Sequence, residues 1–86
     1  MKPIKMYTSA YCSYCSNAEK LLSSKGVSHI EKIRVDEDLS ILKEMIEKTG
    51  RRTVPQIYIG DYHVGGFDDL RALDLKGELD DLLKIS

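Results

Sequence analysis

Two cysteines are present, three positions apart in Cys12-Ser13-Tyr14-Cys15. A disulfide between them would close too short a loop to restrain much of the unfolded chain, so a structural staple explains the pair poorly. Redox chemistry, metal binding and two inert thiols are the readings that compete. The thiolate is the reactive form of cysteine, and the unpaired backbone N–H groups at a helix N-terminus stabilise an anion. A pair that opens a helix therefore has unequal members. Cys12 is expected at the first turn with its sulfur toward solvent, and Cys15 on the same side, roughly one turn deeper. Position assigns the order of events: Cys12 attacks a substrate disulfide, and Cys15 displaces the product from the mixed disulfide and closes an internal bridge. Zinc would need two further ligands from His29 and His63, which are far apart and lack a paired ligand spacing. Free cysteines are often simply buried, but a place between a strand and a helix weakens that reading here.

The flanking residues supply those elements. Ile4-Lys5-Met6-Tyr7 predicts a first strand that ends in Thr8-Ser9, where the motif begins. From Cys15, Ala18, Leu21 and Leu22 recur at helical spacing, and Gly26 stops the helix. Ile30 to Val35 predicts a second strand. Asp36-Glu37-Asp38 places acidic groups at the start of a helix whose buried stripe is Leu39, Leu42, Met45 and Ile46, with Gly50 after its end. Val54 to Ile59 is rich in β-branched and aromatic residues, and Gly60-Asp61 turns it back into Tyr62-His63-Val64 as a hairpin. Gly65-Gly66 breaks that strand, Asp68-Asp69 opens a helix carrying Phe67, Leu70 and Leu73, and a last helical turn or two follows Gly77. The order β-α-β-α-β-β-α with a terminal helix predicts an α/β fold, a mixed four-stranded sheet flanked by helices. The five tyrosines are expected mostly in packing, Tyr14 excepted because it lies inside the motif, and both histidines at the surface.

Composition bounds the rest. The 86 residues predict one domain, 1–86, burying about 64% of its unfolded surface and leaving roughly 5,200 Å² exposed. Lys and Arg number 13 against 14 Asp and Glu, a balance that argues against a nucleic-acid partner, which would ask for a basic excess. No apolar run is long enough for a membrane span, and Met1-Lys2-Pro3-Ile4 lacks the apolar stretch of a signal peptide, so a cytoplasmic protein is expected.

Three segments together resemble the glutaredoxin family, over nearly the whole chain and in the right order. They are Cys12-Ser13-Tyr14-Cys15, Thr53-Val54-Pro55 and Gly65-Gly66-Phe67-Asp68-Asp69. The resemblance is to the small bacterial dithiol type and implies a thioredoxin fold in its compact form. It implies a cis Pro55 facing the dithiol, and glutathione bound by Tyr14, Arg52, Thr53, Val54, Pro55, Gly66, Phe67 and Asp68. Glutathione's cysteine backbone would pair with Val54 as an added strand. Its γ-glutamyl carboxylate would meet the N–H groups of Phe67 and Asp68 at a helix start, and Asp68 would take its amino group.

The departures bear on function. Ser13 stands where the family usually has proline, and related sites without that proline sometimes hold a [2Fe-2S] cluster between two copies, through the first cysteine and glutathione. Ser9 stands where many relatives have a lysine for glutathione's glycine carboxylate; Arg51 or Arg52 could replace that charge. The reading favoured is a glutathione-dependent thiol-disulfide oxidoreductase acting on protein disulfides and glutathione mixed disulfides, a monomer unless a cluster is bound. The alternatives are a cluster-binding dimer with Cys12 as iron ligand, and a redoxin reset by a flavoenzyme reductase. Gly65-Gly66-Phe67-Asp68 argues against the last.

Overall fold

The protein is described by a computed structural model covering residues 2–83. The elements are β1 (Ile4–Thr8), α1 (Ser13–Ser24), β2 (Glu31–Arg34), α2 (Leu39–Thr49), β3 (Gln56–Ile59), β4 (Tyr62–Gly65), α3 (Phe67–Leu75) and α4 (Glu78–Leu82). The sheet order is β2-β1-β3-β4. β1 pairs in parallel with β2 and antiparallel with β3, and the β3–β4 hairpin completes a mixed four-stranded sheet of thioredoxin-like form.

The strand period of two divides β1 between two cores. Ile4 and Met6 join Ile57, Ile59 and Val64 against Cys15, Ala18 and Leu22 of α1, Leu70 of α3 and Leu79 of α4. Tyr7 faces the other way and meets Val35 and Met45, with Ile33, Ile41, Leu42, Ile46 and Tyr58 packed around them. Helices α1, α3 and α4 thus cover one face and α2 alone covers the other. The exposed surface is 5487 Å², close to the area expected for this length.

The ends of the elements have local causes. Cys12, in an extended conformation, caps α1, and Gly26 leaves it at positive φ. Asp38 caps α2 by accepting the Ser40 N–H at 2.9 Å, and Gly50 closes it in the left-handed region.

Four expectations change. Asp36 does not serve the start of α2: its carboxylate takes Arg34 Nε at 2.7 Å, Arg34 Nη2 at 2.8 Å and the Ala10 N–H at 3.2 Å. Leu39 is 73% exposed, because as the first helical residue it lies a turn beyond the Leu42–Ile46 contact; Ile41 packs in its stead. The strand expected from Val54 begins only at Gln56, since Pro55 has no N–H to give a ladder. Of the tyrosines, Tyr7 is buried and Tyr58 half-buried, whereas Tyr11 and Tyr62 are exposed.

The α2 core is small enough to test with two substitutions. Met45→Ala should lower unfolding free energy by about 2–4 kcal/mol, whereas Leu39→Ala should change it by less than about 0.5 kcal/mol, both read from denaturant midpoints. Equal effects would mean that α2 packs in a different register.

Candidate active site

β1 ends at Thr8 and α1 starts at Ser13, so Cys12 occupies the N-cap between them. Its Sγ accepts the Cys15 N–H at 3.2 Å, and as a thiol it donates to the Val54 carbonyl at 3.7 Å. The cap is thus a sulfur where most helices use oxygen, held at the positive end of the helix. Cys12 is half-buried, and both thiols are free. Cys15 is only 3% exposed, and its pKa is pushed up to about 11, first by burial and then by the hydrogen bond and charge of Cys12. The two sulfurs are therefore unlike: one reachable and bonded to a backbone N–H, the other buried and held protonated.

A groove of about 300 Å³ opens beside Val54. One wall is Thr53–Pro55, with the Val54–Pro55 peptide cis; the other is Gly66–Asp69 at the start of α3. Tyr14 closes one end by stacking on Phe67, ring centroids 6.3 Å apart. Among the described residues the N–H groups of Phe67 and Asp68 have no acceptor, as expected for the first turn of a helix, and they leave an anion site there. The Gly66 N–H is already taken by Asp69 Oδ2 at 2.9 Å.

Arg51, not Arg52, lines this groove. Arg52 is exposed, while Arg51 Nη1 reaches across to Asp69 Oδ2 at 2.8 Å and joins the two walls. That pair holds the Asp69 carboxyl below its usual range, first through Arg51 and then through the Gly66 N–H. Both side chains are nearly half-exposed, so the pair contributes only a fraction of a kcal/mol to stability, roughly 0–1. Its effect is on position. Gly65 makes room for it: at φ +111 its missing Cβ would run into the Asp69 carboxylate and come within 3.1 Å of Arg51 Nη1.

A second cavity, of about 340 Å³, touches both cysteines from the other flank. Ser9 lies there, and the cations that line the same cavity are Lys32 and Arg34. Lys32 is paired with Glu19 at 2.6 Å and Arg34 with Asp36, whose carboxyl Arg34 holds well below the usual range. Through Ala10, Asp36 ties the link that carries Cys12 to the end of β2. A third cavity, of about 400 Å³, lies between β1, Glu31, Lys48 and the β3–β4 turn and touches neither sulfur.

His29 is exposed, and His63 is half-buried against Gln56, so neither joins the cysteines. Among the described residues no three His, Cys, Asp or Glu side chains converge as a metal site. No helix among the described residues is long and apolar enough to cross a membrane. The sequence places Asp69 at the start of α3 but not with its partner Arg51, and gives the buried Gln56 no role. Asp69 had a usable signal in its place three residues after Gly66, the spacing of a side chain reaching back to a helix cap. Gln56 had none, since its burial depends on pairing opposite Tyr7.

The glutaredoxin family model matches residues 4–64. Glutaredoxin 3 of Escherichia coli strain K12 is 50% identical over 84 residues, which cover 98% of this chain and 100% of that protein. The solution structure of glutaredoxin from Brucella melitensis is 45% identical with a TM-score of 0.85, covering 98% of this chain and 90% of that one. A crystal structure of a buckwheat glutaredoxin-glutathione complex has a TM-score of 0.87 at 32% identity, covering 95% of this chain and 76% of that one. With the half-buried cap cysteine, the cis proline and the anion site all in one place, the chain belongs to the glutaredoxin family of glutathione-dependent thiol-disulfide oxidoreductases.

Proposed function

We propose that this protein reduces glutathione mixed disulfides and protein disulfides with Cys12 as nucleophile and Cys15 as resolving thiol. The observation that carries this reading is the division of labour at α1: the Cys15 N–H points at Cys12 Sγ from 3.2 Å, while the Cys15 thiol is buried.

In deglutathionylation, the Cys12 thiolate attacks the glutathione sulfur of a mixed disulfide. The Cys12–glutathione bond forms, the bond to the client breaks, and the client leaves as a thiolate that takes a proton from water. A second glutathione thiolate then attacks the bound glutathione sulfur, releasing oxidised glutathione and the Cys12 thiolate. With a protein disulfide, Cys12 first forms a mixed disulfide with the client. Cys15 gives up its proton and attacks Cys12 Sγ; the client leaves as the second thiol, and two glutathiones later reduce the internal bridge. Two of the influences that raise the Cys15 pKa come from Cys12, its hydrogen bond and its charge. Both are lost once Cys12 is in a mixed disulfide, so Cys15 becomes easier to ionise at the step that needs it.

Glutathione fits the 300 Å³ groove by the chemistry of its two ends. Its extended cysteine backbone pairs along Val54, its γ-glutamyl carboxylate takes the free N–H groups of Phe67 and Asp68, and the Asp68 carboxylate takes its amino group. Arg51 offers the charge for the glycine carboxylate in place of a lysine at Ser9. The glutathione in the buckwheat complex supports this reading. A glutathione pool of the kind found in the cytoplasm would supply the reductant.

Three measurements test this. Mass spectrometry after mixing with oxidised glutathione should trap one adduct on Cys15→Ser and none on Cys12→Ser; an adduct on Cys12→Ser instead would reverse the roles. In the reduced protein, labelling of Cys15 followed by peptide mapping should rise only as pH nears about 11, and the midpoint should fall in Cys12→Ser. A Cys15 that titrates near the free-thiol value in both proteins would contradict its burial. Arg51→Ala should raise KM for a glutathionylated peptide about tenfold, the worth of one charge-assisted hydrogen bond, with little change for Arg52→Ala; the opposite ranking would put Arg52 in the groove.

A further inference from the structure

The Thr53–Pro55 wall lies outside the sheet, because β3 begins at Gln56. Its anchor is a buried side chain. Gln56 is 0% exposed, and its Nε2 donates to the Thr53 carbonyl at 2.9 Å, with the Thr53 hydroxyl at 3.5 Å. The other end of the same amide, Oε1, lies 2.8 Å from His63 Nε2. The chemistry of the three groups assigns the proton. A carbonyl only accepts, so the amide nitrogen must face Thr53; Oε1 only accepts, so His63 Nε2 must carry the hydrogen. Burial first and the Arg51 charge second push the imidazole pKa below its ordinary value, with Asp69 acting in the opposite sense. Its ring rests on Tyr58, the cross-strand neighbour, at 5.0 Å and 30°.

We propose that His63 is a positioning residue for the glutathione groove: through Gln56 it holds the Thr53–Pro55 wall at the distance from Gly66–Asp69 that the ligand needs. The proposal rests on the glutathione reading of that groove. His63 is not among the residues lining the groove. Without the His63 donor, the buried Gln56 oxygen is left unpaired, and an amide in that state turns or draws in water to find a partner. Either response loosens Thr53. The facing wall has supports of its own in α3 and the Asp69–Gly66 hydrogen bond, and its tie to Arg51 lies outside Thr53–Pro55. The bond from the Cys15 N–H to Cys12 Sγ belongs to α1 and would stay, while the contact of the Cys12 thiol with the Val54 carbonyl would lengthen with the wall.

The test is steady-state kinetics with one peptide carrying glutathione in mixed disulfide and the same peptide carrying cysteine instead. His63→Phe keeps the stack on Tyr58 and loses the donor. It should raise KM for the glutathionylated peptide about five- to tenfold, a hydrogen bond's worth, leave kcat and the cysteinylated peptide unchanged, and not lower the rate of Cys12 alkylation by iodoacetamide. His63→Gln, which presents an amide N–H at similar reach, should recover most of the loss. Gln56→Met, close in volume, should reproduce the rise in KM, and the double variant should add nothing to it; this comparison also stands if His63→Phe does not fold. An unchanged KM in the folded variants, with only a lower melting temperature, would overturn the proposal and leave His63 a packing residue. A parallel fall in Cys12 alkylation would also overturn it, by moving the effect to the thiol. Wild-type protein that handles both peptides equally well would sink the glutathione reading itself, an outcome seen before any substitution is made.

Discussion

The hydrogen bond from the Cys15 N–H to Cys12 Sγ is the constraint on which the rest of this structure depends. It requires β1 to stop at Thr8, the link to turn without regular structure, and α1 to begin at Ser13 with an extended residue before it. Once those are met, the electrostatics follow. The Cys12 sulfur accepts an N–H that has no acceptor inside the helix. The residue three places on points back into the core, where burial disfavours its anion. A pair of identical side chains is thereby given two different environments by one turn of helix and a difference in burial.

The link that carries Cys12 is secured from β2. Arg34 grips Asp36 with two hydrogen bonds, and the same carboxylate receives the Ala10 N–H. Parallel pairing also continues past the strand end, with the Val35 N–H donating to the Thr8 carbonyl at 3.0 Å. These contacts are exposed and weak singly. Their consequence is geometric, since a bidentate guanidinium fixes the carboxylate plane and so the place of the amide it holds.

The groove beside the dithiol is made of segments that meet only in the fold. Pro55 keeps one wall out of the ladder, and Gly65 lets the other approach closely enough for Arg51 and Asp69 to join across it. Beneath the first wall, Gln56 and His63 form a polar contact, with Gln56 buried opposite Tyr7 in the sheet. A buried amide with both ends satisfied rigidifies what it touches, and one left half-satisfied would be costly. Such placement is tolerable in a small core only where shape matters more than added stability.

Local order along the chain was sufficient for the element sequence, the mixed sheet and the deeper place of Cys15 in the dithiol, because hydrophobic period, glycine stops and cysteine spacing are all short-range properties. The helix start at the motif and the Gly60-Asp61 hairpin follow from residues within a few positions of each other. Local order misjudged Leu39, whose stripe position is right and whose burial depends on how far the sheet extends beneath α2. It assigned Asp36 to the wrong partner, because a carboxylate beside a helix start is equally near an arginine two residues back on the strand. The choice between Arg51 and Arg52 could not be made from neighbours on the chain. It is set by Asp69, 18 residues away, and by the absence of a side chain at Gly65. The burial of Gln56 and its pairing with His63 are of the same kind. They are long-range consequences of packing two faces of one sheet, and a short-range pattern carries no record of which distant group will fill the space.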